Sequence, residues 1–340
     1  MPNHAIALLI EPGSTLSSVM TSLDMMSIAR RYPQAQDCRV DVLSTSGGTV
    51  ALAHAVQVQT QALPDTLANY AAVILPGFLA EDLPSLRQQL HSVWQPVLER
   101  LPTVRPDALL AASCYGTFVL AESGLLDGCQ ATTTWWLQAA FAAAYPRVKL
   151  DADRALVDGG RVLTAGAMTA HTDLSLHVLR RLFGAELARS VGGIMLVDGA
   201  RTSQRPFMAL PRHFADPLAQ QAADWLAQHY RQPCTCDALA AALHVSYRTL
   251  HRRFQAAVGM APLAYLQALR VEQAKTLLED SRMSLEQIVE SVGYSDVSAF
   301  RQLFARTAGL SPAQYRERFR HPSVPLALQS LAGTVQSPLT

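Results

Sequence analysis

Excess charge is what this chain most conspicuously lacks: 28 Lys+Arg against 27 Asp+Glu leave a formal net charge of +1 over 340 residues. That balance argues against binding through a diffuse cationic field. Lysine occurs only at Lys149 and Lys275, so nearly every cation is an arginine, whose planar fork favours directed, bidentate contacts. No apolar run approaches the ~20 residues of a membrane span. The opening MPNHAIALLIEPG has no basic stretch ahead of its short apolar run, so it reads as a first strand, and a cytoplasmic chain without a membrane partner is expected. The five cysteines are odd in number and contain no CxxC pair, which argues against a disulfide framework. Cys234 and Cys236 stand one residue apart, but no nearby cluster completes a metal site. No metal or other cofactor is expected.

What the chain does have is a motif that occurs twice. ALAAALHVSYRTLHRRFQAAVGMAPLAY, from Ala238 to Tyr265, is echoed by IVESVGYSDVSAFRQLFARTAGLSPAQY, from Ile288 to Tyr315. Phe254 matches Phe304, Gly259 matches Gly309, Pro262 matches Pro312 and Tyr265 matches Tyr315, each 50 positions apart. Ser246 and Ser295 are 49 apart, so the second copy carries one extra residue where its turn enters the next helix. Each copy reads as a short apolar helix, a tight turn and a second helix.

The second helix of each copy buries one side and offers donors on the other. Ser246 suits an N-cap, and Leu250 and Phe254 share the apolar face at i, i+4. Tyr247, Arg248, His251 and Arg252 are left as candidate DNA contacts. In the second copy Phe300, Leu303 and Phe304 form the buried side, leaving Ser298, Arg301, Gln302 and Arg306. Arginine forks match guanine edges and phosphates, and amides match adenine, so this choice suits the major groove of double-stranded DNA. A helix beginning at Pro262 and running to Leu278 could hold the two units apart. Recognition helices about 34 Å apart would enter successive major grooves. From Ala215 to His321 the charges are 12 Lys+Arg and 10 Asp+Glu, so specificity should rest on a few side chains.

These residues resemble the AraC/XylS family of bacterial transcription regulators from Pro217 to Phe319. The likeness includes LAAALHVSYRTLHRRF, APLAYLQALRVEQAKTLL, GYSDVSAFRQLF and GLSPAQYRERF. Ala261 departs from the serine usual before Pro262 in the first copy. The resemblance implies a sequence-specific DNA-binding domain, with RNA polymerase a candidate further partner.

The first ~190 residues alternate short apolar runs with helical stretches, the pattern of a sheet covered by helices on both faces. Strands are expected at 4–10, 39–44, 71–75, 108–112 and 161–164, and helices at 16–30, 83–100, 116–123, 137–145 and 170–183. Ligands of such sheets bind at the carboxyl ends of the strands. The stretch DGARTSQRPFMALPRHFADP loses this periodicity. The expected organisation is an α/β sensor and oligomerisation domain at 1–197, a linker at 198–214, an all-α domain with two helix-turn-helix motifs at 215–321, and a disordered tail at 322–340.

The densest chemical signal of the first domain is ALLAASCYGTFVLAESGLLDG, residues 108–128. A strand ending in Ala112-Ser113-Cys114 and turning through Gly116 into a helix resembles a nucleophile elbow, where a helix N-terminus lowers thiol pKa. With ATTTWW following, residues 4–190 resemble the PfpI/ThiJ branch of the class I glutamine-amidotransferase-like superfamily, a parallel-sheet sandwich. Members fused to an AraC-type domain form a known group of amidase-like regulators. Four positions depart from the family's catalytic pattern. Tyr115 stands where a histidine follows the cysteine, Thr134 replaces the histidine of ATTHW, Ser18 replaces a first-helix glutamate, and Pro76-Gly77-Phe78 lacks the second glycine of its loop.

His171 keeps three readings open: a local hydrogen bond at a helix start, a ligand contact, or a dyad with Cys114. Trp135 and Trp136, read as strand neighbours, face opposite sides, so at most one lines the pocket. The expected ligand pocket comprises Cys114, Tyr115, Gly77, Phe78, Trp135 and His171, with no catalytic residue. An aromatic wall suits a cationic amine or amino-acid derivative as effector. The chain is therefore expected to be a homodimeric DNA-binding regulator with a catalytically degenerate sensor domain. The alternatives are a fusion with Cys114-dependent hydrolase or amidase activity, and an N-terminal domain serving only dimerisation.

Overall fold

In the computed structural model, the structure describes residues 4–52, 56–199 and 201–320. The expected tail at 322–340 lies outside them. The chain divides into two compact units, residues 1–204 and residues 205 onward.

The first unit is built on an eight-stranded sheet of order β3-β4-β2-β1-β5-β6-β10-β9. Its inner strands are β1 (Ala5–Leu9), β2 (Arg39–Ser44), β4 (Gln57–Ala62), β5 (Ala72–Leu75), β6 (Leu109–Ser113) and β10 (Val162–Ala165). They run parallel, whereas the edge strands β3 (Gly48–Ala51) and β9 (Leu156–Asp158) pair antiparallel with β4 and β10. The expected parallel sheet thus carries one antiparallel strand at each edge. Strand alternation divides the core: Ala5, Ala7 and Leu9 face one apolar layer, Ile6, Leu8 and Ile10 the other. Likewise Leu110 and Ala112 of β6 belong to the first layer, Leu109 and Ala111 to the second.

The first layer is covered by α2 (Leu83–His91), α3 (Gln95–Arg100), α4 (Gly116–Glu122) and α5 (Gln138–Ala144). The second is covered by α1 (Leu16–Ala29), α6 (Ala170–Phe183) and α7 (Ala185–Ile194). The single helix expected at 83–100 is broken, because the chain turns at 92–94 to bury Trp94 completely and restarts with Pro96 in its first turn. Two further short strands, β7 (Gln130–Ala131) and β8 (Lys149–Leu150), pair in parallel. β7 stops before the tryptophans, and Trp135–Leu137 form a 3-10 turn. The strand alternation expected for Trp135 and Trp136 therefore does not apply.

The second unit is helical: α8 (Pro217–His229), α9 (Cys236–Ala242), α10 (Tyr247–Val258), α11 (Pro262–Asp280), α12 (Leu285–Ser291), α13 (Val297–Ala308) and α14 (Pro312–Phe319). It holds two apolar cores that share α11. Tyr265, Leu266 and Leu269 pack with α8, α9 and α10, while Val271, Ala274 and Leu278 pack with α12, α13 and α14. The extra residue of the second copy is visible in the turns: residues 243–246 join α9 to α10, and residues 292–296 join α12 to α13. Among the described residues no helix is long and apolar enough to cross a membrane.

Candidate functional site

The elbow forms where β6 runs into α4. Cys114 adopts φ 53°, a left-handed conformation rare for a residue with a side chain. Its amide donates to the carbonyls of Ala165 and Gly166, at 3.1 and 2.9 Å, anchoring the strained residue to the end of β10. Two glycines allow the approach. A Cβ on Gly116 would come within 2.6 Å of the Leu75 and Pro76 carbonyls, and one on Gly77 within 2.8 Å of Cys114 Cβ. Gly77 and Cys114 are thus brought together, as are Tyr115 and the tryptophan turn. Trp136 Nε1 donates to Tyr115 Oη at 3.2 Å, and the Trp135 and Trp136 rings meet edge to face. Trp136 is 44% exposed, so the indole stands at an open rim.

Hydroxyls surround the elbow where a base would be needed. Thr117 Oγ1 donates to the Cys114 carbonyl at 2.7 Å and lies 2.6 Å from Thr133 Oγ1. Thr15 Oγ1 lies 2.8 Å from Ser18 Oγ, and the Thr15 amide donates to the Gly77 carbonyl at 2.8 Å. The Thr134 hydroxyl is buried and has no hydrogen-bond partner. Burial pushes the Cys114 thiol up to about 12, with the Tyr115 amide drawing it slightly back. The thiol is therefore neutral near pH 7, contrary to the lowered value that an elbow at a helix start suggests. Here desolvation outweighs the short helix.

Two residues expected in the pocket lie elsewhere. Phe78 is 1% exposed, its ring 5.1 Å from Trp94 and 5.8 Å from Tyr115, and it belongs to the first apolar layer. His171 is 1% exposed in the opposite layer, with Nδ1 2.7 Å from Ser113 Oγ and Nε2 2.7 Å from Ser22 Oγ. Strand alternation explains this placement: Ser113 points to the layer of Leu109 and Ala111, whereas Cys114 turns toward Gly77. Both ring nitrogens are occupied, so His171 neither reaches the thiol nor meets a ligand there. Burial drives its pKa down to about 4, and it is held neutral. No group of three or more His, Cys, Asp or Glu among the described residues could hold a metal.

Sequence reasoning missed Gln204. Its Nε2 donates to the carbonyls of Thr133, Ala152 and Arg154 at 2.9, 2.8 and 3.1 Å, and its Oε1 accepts from the Ala167 amide at 3.0 Å. The residue sits in a stretch without periodicity, so no sequence signal marked it.

In the helical unit, the candidate recognition helices are capped and stand on their cores. Ser246 Oγ accepts from the Thr249 amide at 3.2 Å, and Asp296 caps α13 through the amides of Ser298 and Ala299. Gly259 and Gly309 end the two helices at φ 82° and 71°. Leu250 and Phe254 are fully buried, as are Phe300 and Phe304. Tyr247, Arg248 and Arg252 of α10 are exposed, His251 is half-buried beneath Tyr247 with ring centroids 5.7 Å apart, and Ser298, Arg301, Gln302 and Arg306 of α13 are exposed. Arg301 lies 3.9 Å from Glu286, whereas Arg253 makes two 2.9 Å bonds to Asp216, the cap of α8, and so braces the fold.

An eight-stranded α/β unit with a cysteine elbow, followed by two capped helix-turn-helix motifs, defines the class. The DJ-1/PfpI family profile matches residues 4–181 and a helix-turn-helix domain profile residues 239–318. The chain belongs to the DJ-1/PfpI family and carries an AraC-type helix-turn-helix domain. It is 25% identical over 317 residues to the HTH-type transcriptional regulator GbdR of Pseudomonas aeruginosa, covering 92% of this chain and 84% of that protein. The regulator CdhR of the same species is 28% identical over 314 residues, covering 91% of this chain and 90% of the other. Among solved structures, Drosophila melanogaster DJ-1beta is 20% identical and covers 58% of this chain and all of its own, with a TM-score of 0.49.

Proposed function

We propose that the chain is a cytoplasmic transcription regulator that binds DNA through α10 and α13, and that its N-terminal unit holds a small effector without turning it over. The observation that carries the DNA reading is the pair of capped helices whose apolar faces are buried and whose arginines and amides face outward. The nineteen residues of α11, at about 1.5 Å each, span about 28 Å. That length suits two motifs entering successive major grooves on one side of a duplex. The similarity to named transcriptional regulators over nine-tenths of the chain supports the same reading.

For the N-terminal unit, the neutral Cys114 thiol and the withdrawal of His171 into the opposite layer support binding over catalysis. The exposed Trp136 and its partner Tyr115 suit an amine or amino-acid derivative, the aromatic faces meeting the cation. A homodimer formed through this unit would multiply a modest half-site affinity.

Two measurements test the proposal. Selection from a random duplex library by the full chain should recover a sequence whose footprint spans two successive major grooves. Incubation with candidate amines, amino acids, amides and aldehydes should raise the melting temperature without product. Turnover lost in Cys114→Ser would establish an enzyme instead, and a monomer at micromolar concentration in sedimentation would remove the dimer.

A further inference from the structure

Within the helical unit, the residue at which α11 passes from one core to the other is charged. Leu266 and Leu269 belong to the core of α8, α9 and α10, and Val271 and Ala274 to the core of α12, α13 and α14. Arg270 stands between them and is 9% exposed. Its Nε donates to the Tyr230 carbonyl at 2.7 Å and its Nη2 to the Gln232 carbonyl at 2.9 Å, where the chain leaves the C-terminal end of α8. Its guanidinium also lies over the Tyr294 ring, 5.0 Å from the centroid, in the turn between α12 and α13. Among the described residues no carboxylate pairs with this cation. A buried charge without an ion pair is costly, and here two carbonyls of one half of the unit and an aromatic face of the other hold it together.

The backbones of the two halves meet at the same place. A Cβ on Gly293 would come within 2.5 Å of the Arg231 carbonyl oxygen, so the turn of the second motif lies against the chain that leaves α8. Tyr230 packs on both cores. From this junction the path to each candidate reading helix is short. Tyr294 meets Phe300, a buried aromatic of α13, with ring centroids 5.2 Å apart. On the other side α8 is bonded to α10 through Asp216 and Arg253. A cation that only capped α8 would complement the dipole at its C-terminus. Capping accounts for the two carbonyls, but not for the Tyr294 ring or for the close approach at Gly293.

We infer that Arg270 is the positioning residue of the two reading helices: with Gly293 and Tyr294 it locks the turn of the second motif against the end of α8, so that the protein accepts two half-sites at one spacing only. The inference rests on the proposal that α10 and α13 read DNA. α11 alone is a single rod with one motif packed along each half, and a contact away from its axis is what opposes twisting of one motif against the other. One base pair inserted between two half-sites moves them apart by about 3.4 Å and turns them by about 35°. A locked pair cannot follow that change, whereas an unlocked pair can.

The test measures binding of the full chain to the duplex recovered by selection from the random library, and to two derivatives with one base pair more or one fewer between the footprinted half-sites. The wild type should bind both derivatives at least about tenfold more weakly, as expected when the contacts of one half-site are disrupted. Arg270→Met keeps the aliphatic stem and removes the donors, and it should shrink that ratio by at least about threefold, even where it weakens binding to the parent duplex. Tyr294→Leu should act in the same direction, and it decides the matter if the arginine variant does not fold. Arg253→Ala is the structural control: it removes two hydrogen bonds from the same unit without touching the junction, and should keep the wild-type ratio. Each ratio is taken within one protein, so a loss of active fraction cancels from it. A wild type indifferent to spacing, a ratio unchanged in Arg270→Met and Tyr294→Leu, or an equal shrinkage in Arg253→Ala overturns the inference and leaves the DNA-binding reading intact. Failure to recover any duplex, or a footprint confined to one half-site, overturns that reading, and the inference with it.

Discussion

His171 enters the folded state uncharged because it is enclosed between Ser22 and Ser113, with its pKa held near 4 against 6.5 in an open chain. Above pH 6.5 neither state binds the proton, and this residue contributes no pH dependence. As the pH falls through 6.5 the unfolded chain takes up a proton that the folded chain refuses, so stability is lost until the folded value near 4 is reached. The full loss is about 3 kcal/mol, and about 2 kcal/mol of it is gone by pH 5. The assay is urea unfolding at pH 7.5 and pH 5.0 in a Trp225→Phe background, so that fluorescence reports only Trp94, Trp135 and Trp136 of the sheet unit. His171→Gln removes the titration, and the stability difference between parent and variant should narrow by about 2 kcal/mol on acidification. Glu11 and Asp173, both raised by burial, titrate in either protein and cancel from the comparison. Parallel pH profiles for the two proteins would refute a buried neutral histidine.

Arg252→Ala should cost about 1–3 kcal/mol at one base pair and relax discrimination there, with Gln302→Ala behaving alike in the second half-site. Equal weakening on specific and random duplexes would make either residue a phosphate contact. Arg253→Ala should instead lower the melting temperature of the helical unit through loss of its Asp216 bonds and leave sequence preference unchanged, as binding titrations on the two duplexes would report. Alkylation at pH 8 followed by mass spectrometry should label Cys129, Cys234 and Cys236 well before Cys114, and prompt labelling of Cys114 would contradict its enclosure. Gly77→Ala should destabilise the sheet unit by about 1–3 kcal/mol, an overpacking cost set by the 2.8 Å approach to Cys114 Cβ. An unchanged urea midpoint would refute that cost.

The central strands were legible because parallel strands buried on both faces read as continuous apolar runs, as in AIALL and LLAAS. The edge strands were not. Gly48–Ala51 reads GTVA and is mostly exposed, so it shows only in its backbone ladder with Gln57–Ala62. The break at Trp94 did leave a signal in Pro96, outweighed by the apolar periodicity on either side. The elbow was legible from Ser113, Cys114 and Gly116, but the fate of His171 depended on noticing that Ser113 and Cys114 alternate. Both serines that hold the histidine occupy positions facing the same layer, one on β6 and one on α1. Phe78 was misplaced because a residue beside a site glycine can turn into the core as readily as into the cleft. In the helical unit the repeat itself carried the information, since each cap and buried aromatic recurs at a fixed offset.

The division of α11 between two cores has a consequence for how this protein can diverge. Leu266 and Leu269 serve one motif, Val271 and Ala274 the other, and the two sets of side chains share few neighbours. Substitutions in separate cores add in their effects. If α10 and α13 each read one half-site, as proposed, one can be remodelled toward a new half-site while its companion keeps the old one, and an altered operator can be acquired half at a time with binding maintained throughout.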